Sequence, residues 1–393
     1  MAIFIGRRQI LTGAGAALLA STLDGCTSAM VRPQDNHPHT DALRLPRLRA
    51  DTGRITAITV CTRPFRAEGP RLDTEVVGDK TVVHNYGHGG SGWSLSWGSS
   101  YIAMGKAMAT GEHDVAVIGC GALGLTSALL LQRAGAHVTI YAKDLPPNVR
   151  SALASGIWSP DSRICLEKHA TPEFKRMWEN MARHSFRTYQ TLIGLPGAPV
   201  EFFDMYAVFN GNPAARGQDA AVDGRLPFAK LEHELIPDLT PPRVDLAPGT
   251  HPFGNRSVIR RTWMMFNLNA YMRMLESDFR ANGGTIEVAE FHTPADFARL
   301  KQRALVNATG YGARALFNDQ TVTPVRGQLA RTIPQADIDY GLFYKGTSFI
   351  PRRDGMVFQV LGDSDYYGFN DDTTVPDRAE AEHAVQTIAE LYA

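Results

Sequence analysis

Net charge is what this sequence lacks first: 40 Lys and Arg balance 40 Asp and Glu over 393 residues. Such a chain has no electrostatic footprint for nucleic acid. Cysteine is scarce. Four in a chain this long make no disulfide scaffold, and no Cys-x-x-Cys or zinc spacing occurs among them. No apolar run reaches the ~18 residues of a membrane-spanning helix. No Gly-x-Ser-x-Gly elbow is present, which argues against a Ser–His–Asp hydrolase. Hydrophobic residues make up 44% and charged residues 20%, ordinary for a globular protein, so a largely disordered chain, a collagen and a coiled coil are excluded. At about 150 residues per domain, the length suggests two or three domains.

What is present begins with an address. Gly6-Arg7-Arg8 precedes an Ala/Leu-rich run to Leu23, the layout of a twin-arginine export signal. The run is too short and too rich in Gly and Ala to span a membrane, so residues 1–26 are set apart from the fold and a periplasmic location is expected. Leu23-Asp24-Gly25-Cys26 resembles a bacterial lipobox, which would make Cys26 a lipid anchor. Asp24 departs from the small or aliphatic residue usual there, and cleavage near Ala29 without lipid stands as the other reading. Residues 27–54, rich in Pro, His, Asp and Arg, read as a tether.

Asp114-Val115-Ala116-Val117-Ile118 has the pattern of a buried parallel strand. Gly119-Cys120-Gly121-Ala122-Leu123-Gly124 follows, then a helical stretch to Gly135 and a second strand at His137–Tyr141. Strand, GxGxxG, helix, strand within about 30 residues is a dinucleotide-binding unit. Gly119 permits the turn, Gly121 lets the backbone approach a pyrophosphate at the helix N-terminus, and Gly124 lets helix and strand pack closely. The second strand of such a unit commonly ends on an acid for the ribose. Asp144 is the candidate, one position late, with Lys143 beside it able to face a phosphate instead. These residues alone do not separate FAD from NAD.

A second glycine-rich stretch precedes this unit. It reads His84-Asn85-Tyr86-Gly87-His88-Gly89-Gly90-Ser91-Gly92-Trp93-Ser94-Leu95-Ser96-Trp97-Gly98, followed by a helix expected from Ser100 to Ala109. Its glycines leave few Cβ atoms, so the backbone can wrap a ligand and offer N–H groups to it. No acid stands at ligand spacing from His84 or His88, which argues against a metal site. The stretch resembles the signature of the D-amino-acid oxidase family of flavoproteins. Arg63-Pro64-Phe65-Arg66, Ser151 through Gly156-Ile157-Trp158-Ser159-Pro160, Leu305–Gly310, Val325-Arg326-Gly327-Gln328 and Pro351-Arg352-Arg353-Asp354-Gly355 resemble further family segments.

The resemblance implies an α/β fold, with a Rossmann-like FAD-binding domain and a β-sheet substrate domain. It implies FAD held by Gly119, Gly121, Ala122, Leu123, Gly124, Asp144, Ser151, Gly156, Ile157 and Gly310, with Gly89, Gly90, Ser91, Gly92, Trp93 and Ser94 along the flavin. It implies Arg63 as the anchor of a substrate carboxylate, a task suited to a planar, permanently charged fork. Tyr344 would be a second carboxylate ligand. The implied reaction is oxidative deamination of a small D-amino acid by hydride transfer to flavin, with O2 or a membrane acceptor taking the electrons. A secondary-amine oxidase, a dehydrogenase of the same fold and a non-catalytic FAD-binding module are the alternatives. In the family the GxGxxG unit opens the chain and the His-Asn-Tyr-Gly-His-Gly-Gly stretch closes it. Here the order is reversed, which reads as a circular permutation, cheap where termini lie close together. The expected division is 55–164 for FAD binding, 165–300 mainly for substrate, 301–330 for FAD binding again and 331–393 for substrate strands and a last helix.

Overall fold

The computed structural model describes residues 43–211 and 224–393. Arg7, Arg8, Cys26 and Ala29 lie outside the described residues. Among those described, no helix is long and apolar enough to cross a membrane.

Two sheets organise the chain. The first runs β2 (Thr74–Val77), β3 (Lys80–His84), β10 (Ala304–Asn307), β4 (Asp114–Ile118), β5 (His137–Ala142), β9 (Thr285–Val288). Neighbours from β3 to β9 are parallel, and β2 closes the edge antiparallel. Val115, Ala116 and Val117 on β4 and Leu305 and Val306 on β10 are wholly buried. They form unbroken apolar runs because both faces of a parallel sheet are covered. The second sheet runs β1 (Ile55–Arg66), β11 (Val322–Thr332), β14 (Met356–Val360), β13 (Thr347–Ile350), β12 (Tyr340–Tyr344), β6 (Val200–Phe209), β8 (Ser257–Phe266), β7 (Val244–Leu246).

The helices are α1 (Ser96–Met108), α2 (Ala122–Arg133), α3 (Pro172–Gln190), α4 (Glu232–Leu235), α5 (Leu268–Ala281), α6 (Ala313–Leu316) and α7 (Arg378–Ala389). Helices α1, α2, α3 and α5 share one core with the first sheet. Pro172 starts α3, and Thr171 caps it by accepting from the Phe174 N–H at 3.2 Å. Phe174, Trp178, Met181, Phe186 and Tyr189 form its buried stripe at helical spacing. Each such side chain contributes roughly 1.5–3 kcal/mol by leaving water. Met272 and Met274 of α5 pack into this core, as their spacing suggests. Helix α1 starts at Ser96 rather than Ser100, so the glycine-rich stretch is shorter than its sequence suggests. Ser99 and Ser100 are thereby drawn onto a buried helix face. There Ser99 donates to Asn85 Oδ1 at 2.5 Å, and Asn85 Nδ2 donates to Ser100 and Ser127 at 3.2 and 3.1 Å.

The second sheet has two unlike faces. One packs under α7, where Ala384, Val385 and Ile388 meet Ala330, Leu342, Tyr344 and Phe358. The other carries Phe203, Met205, Met265, Leu329, Ile350 and Val357 and meets Ile157.

Three expectations are corrected by these contacts. Residues 43–54 are packed, not a free tether. Leu48 is buried against the α7 core, the Tyr340 hydroxyl donates to the Pro46 carbonyl, and Arg47 donates to the Tyr392 carbonyl. Residues 165–300 are shared between the halves, since α3, α5 and β9 join the first sheet while β6, β7 and β8 join the second. Strand β1 belongs to the second sheet, and so does β11, which begins inside the 301–330 segment. In each case an amphipathic surface settles where its apolar side is covered, irrespective of its neighbours in sequence.

Candidate cofactor and substrate site

The site grows from the end of β4. Gly119 adopts φ +112, and its N–H donates to the Tyr141 carbonyl at 2.8 Å. A Cβ on Gly119 would lie 2.6 Å from the Ala308 carbonyl oxygen, and one on Gly124 would lie 2.0 Å from the Gly119 carbonyl oxygen. The strand–turn–helix corner therefore closes only with glycine at both positions. Gly121 is the N-cap of α2, whose first turn has no acidic residue. Ser151 folds over it and accepts from the Ala122 N–H at 3.1 Å. The remaining first-turn N–H groups have no partner within the helix, the standard anchor for a phosphate.

The second glycine-rich stretch reaches the same place from β3. Gly89 adopts φ +56, and a Cβ there would lie 2.0 Å from the Arg163 carbonyl oxygen, so the loop is pressed against residues 162–163. The Gly90 N–H and the Ser91 hydroxyl both donate to the Ser162 carbonyl, at 2.9 and 3.1 Å. Trp93 Nε1 donates to the Ser151 carbonyl at 2.8 Å, tying this loop to the one that covers α2. His88 is buried, and desolvation pushes it down to about 3, so it is neutral and bonded to Ser99 at 2.7 Å. His84 sits between Glu75 and Asn307.

Both loops line one cavity of about 430 Å³. Of the residues singled out from sequence, Gly89, Gly90, Gly92, Trp93, Gly119, Gly121, Ala122, Leu123, Asp144, Ser151, Gly310 and Arg63 line it. Gly124, Ser91, Ser94, Gly156 and Ile157 stand behind the wall. Ser94 accepts from the Ser159 N–H at 2.8 Å, the Gly156 carbonyl accepts from the Phe266 N–H at 2.7 Å, and Ile157 bridges Met265. At the β5 end, Lys143 and Asp144 are exposed, and Lys143 pairs with Glu290 at 3.5 Å, also on the cavity wall.

Arg63 comes from the second sheet. Cys61 lies opposite Gly327 and Thr59 opposite Leu329, so alternation puts Thr59, Cys61 and Arg63 on the sheet face away from α7. The guanidinium of Arg63 lies over Gly327, where a Cβ would be 2.6 Å from its nitrogens, and Nη1 donates to the Arg326 carbonyl at 3.0 Å. Nearby, burial opposes ionisation of Asp365, yet Arg163, Lys230 and Arg63 hold it below the usual carboxylate range. Arg66 and Arg352 are engaged elsewhere. Arg66 holds Thr321, the Gly69 carbonyl and Asp319, while Arg352 is wholly buried on Asp354 and the Ala154 carbonyl.

Tyr344 is not brought to the site. On β12 it alternates with Phe343: Phe343 packs on the cavity-side face, while Tyr344 lies under α7 with its hydroxyl accepting from Asn210 at 3.1 Å. The expected carboxylate role is corrected on that ground. Other cavity residues escaped the sequence reading, among them Arg150 and Tyr311. Gly327, within the Val325–Gln328 segment, lies under the Arg63 guanidinium, a glycine inside a strand where another group comes close. Arg150 immediately precedes the Ser151–Pro160 segment.

The residues fit FAD. The positions where Cβ atoms of Gly92 and Gly310 would sit face open space along the cavity, so these glycines form a cradle that side chains would fill. The N–H groups at the start of α2 and a second glycine-rich backbone both border the cavity, an arrangement suited to a two-headed ligand.

The sequence profile of the family described as "FAD dependent oxidoreductase" (DAO) matches residues 114–393. A D-amino-acid oxidase of Streptomyces coelicolor is 27% identical over 288 residues, 71% of this chain and 78% of that protein. A D-amino-acid oxidase of Rubrobacter xylanophilus is 29% identical over 224 residues, 55% of this chain and 58% of its relative's length. Among solved structures, an iminodiacetate oxidase from Chelativorans sp. BNC1 aligns with a TM-score of 0.48 at 14% identity, covering 70% of this chain and 77% of that chain. With residues 114–393 matched and the two glycine-rich loops assembled around one cavity, the chain belongs to the DAO family of FAD dependent oxidoreductases.

Proposed function

We propose that this protein oxidises a small D-amino acid to the imino acid, which water hydrolyses to a keto acid and ammonia. The observation that carries the reading is Arg63. It is a half-buried guanidinium held over Gly327, on the cavity wall that also carries the Gly89–Gly92 loop. A carboxylate gripped there bidentately has its Cα fixed in position, and positioning is the main contribution this chemistry asks of the protein. The chemistry FAD supplies when bound is acceptance of the hydride from Cα. Gly119, Gly121 and the first turn of α2 would hold its pyrophosphate, and Gly89 to Gly92 would border its ring. Neutral His88 moves no proton, and an amine that arrives uncharged needs no base.

An anaerobic screen tests this: D-, L- and N-methyl amino acids are added to the flavin-loaded protein while the flavin absorbance is followed. Bleaching by D-amino acids is expected. Bleaching only by N-methyl or L-amino acids would change the substrate, and no bleaching by any of them would leave a binding module. Reoxidation by O2 separates an oxidase from a dehydrogenase that feeds a membrane acceptor.

We further propose that the segment order is a circular permutation. In support, β1 pairs with β11 along its length although it precedes β4 in the chain, and β3 pairs with β10. The last residues lie beside the entry to β1, with the Tyr392 carbonyl accepting from Arg47. A rearranged chain running 114–393 and then 43–109 should fold and bind FAD as the natural order does. Failure of that chain to fold would sink the idea. Export is proposed from Arg7-Arg8, with Cys26 as anchor. Arg7→Lys with Arg8→Lys should retain the protein in the cytoplasm, and the N-terminal residue of the mature protein should be a lipidated Cys26.

A further inference from the structure

Two banks of the cavity meet through one side chain. Arg150, in the loop that covers the start of α2, has its guanidinium carbon 4.9 Å from the ring centroid of Tyr311, which follows β10. Both residues line the cavity. Tyr311 is anchored beside Tyr86, Ala313 and Val322, so it is the fixed partner. Arg150 is exposed, and among the described residues it has no carboxylate or hydrogen-bond partner. Of the other cations lining the cavity, Lys143 is paired with Glu290 and Arg63 donates to the Arg326 carbonyl.

Where Arg150 stands is set by its neighbour. Ser151 accepts from the Ala122 N–H at 3.1 Å, so Arg150 is one residue from the group that touches the phosphate-binding end of α2. No acidic residue in the first turn of that helix competes for it. A permanently charged fork lining the same cavity as the start of α2, whose first-turn N–H groups lack helical partners, suits an anion there. A surface arginine would ordinarily find a carboxylate or stay in water. This one lies against an aromatic face above a cavity, and that stacking costs little entropy to redirect.

We propose that Arg150 is the side chain with which this protein neutralises the pyrophosphate of its cofactor, and that Tyr311 is the platform holding it over the cavity. The inference rests on the FAD reading above. It assigns to a side chain part of an affinity that the glycine corner would otherwise carry through backbone alone.

The test is titration of the flavin-free protein with FAD at low salt and at about 0.5 M salt, where exposed charges are screened within a few ångströms. Arg150→Gln should weaken FAD about 10- to 100-fold at low salt, the range of one lost charge-assisted contact, and should flatten the salt dependence. Arg150→Lys should fall between the two and keep the salt dependence. Tyr311→Leu should weaken FAD only about threefold, also with the salt dependence kept, because it removes the platform and not the charge. An Arg150→Gln protein with unchanged FAD affinity overturns the proposal, as does one that weakens FAD with an unchanged salt dependence. A wild-type protein that takes up no FAD at either salt overturns the cofactor reading itself, a separate and earlier failure.

Discussion

The two walls of the cavity are built on opposite principles. On the first sheet the wall is backbone: glycines at 119, 121 and 124 clear a corner, and the start of α2 offers N–H groups. On the second sheet the wall presents a side chain, Arg63, whose position depends on the parity of β1 and on the missing Cβ of Gly327. A backbone site tolerates no added atom and needs no particular chemistry in its side chains. A side-chain site tolerates neighbours but depends on one functional group. The comparison teaches that damage to the first wall should appear as lost folding and cofactor, and damage to the second as lost substrate with cofactor intact.

The largest effect should come from the backbone wall. Gly124→Ala places a Cβ 2.0 Å from a backbone carbonyl, where nothing flexible can yield. It should cost about 3 kcal/mol or more, and the protein should be recovered colourless or unfolded. Denaturant melts and flavin content check this, and a stable yellow Gly124→Ala protein would break the comparison.

Next is Arg63→Ala. Flavin content should be unchanged, while amino acids should bind roughly 30- to 4000-fold more weakly, the cost of losing one charge-assisted pair. Arg63→Lys should fall between, since it keeps charge without the fork. Anaerobic flavin bleaching at graded substrate concentrations reads both. Arg63→Ala with full affinity would remove the second wall from the account, and the structure leaves Arg66 and Arg352 no freedom to replace it.

A smaller effect concerns Glu232, near Asp161 and Arg261. Burial, with Asp161 adding to it, pushes its carboxyl up to about 7. A carboxyl raised in the folded state contributes stability that is fully present below its unfolded value and is lost as pH rises through 7. Glu232→Gln should therefore stabilise the protein above pH 7, by about 1–2 kcal/mol, and change nothing below pH 4.5. Melting temperatures across that range check it, and a uniform shift at all pH values would refute the raised carboxyl as the cause.

The smallest sharpens the parity argument. Tyr344→Phe removes one hydrogen bond to Asn210 under α7. It should cost about 0.5–1.5 kcal/mol of stability and leave substrate affinity unchanged. A large loss of affinity would return Tyr344 to the cavity side.

Sequence by itself determined the nucleotide-binding corner almost residue by residue. Asp114–Ile118 is a strand with those bounds, the glycine corner follows it, and Gly87–Gly92 was marked as a ligand-wrapping loop. The reason is locality: a strand–glycine–helix corner is specified by backbone conformations within six residues, and each residue type reports its own constraint. It also marked Arg63, through a short motif. Tertiary structure alone decided which strand face looked at the cavity, which separated Arg63 from Tyr344. It decided that residues 165–300 would be divided between two sheets, and that 43–54 would pack under the last helix. It also placed Arg150 on Tyr311, 161 residues away in the chain. Those outcomes depend on which apolar surfaces meet across long separations, and no local pattern in one sequence encodes that pairing.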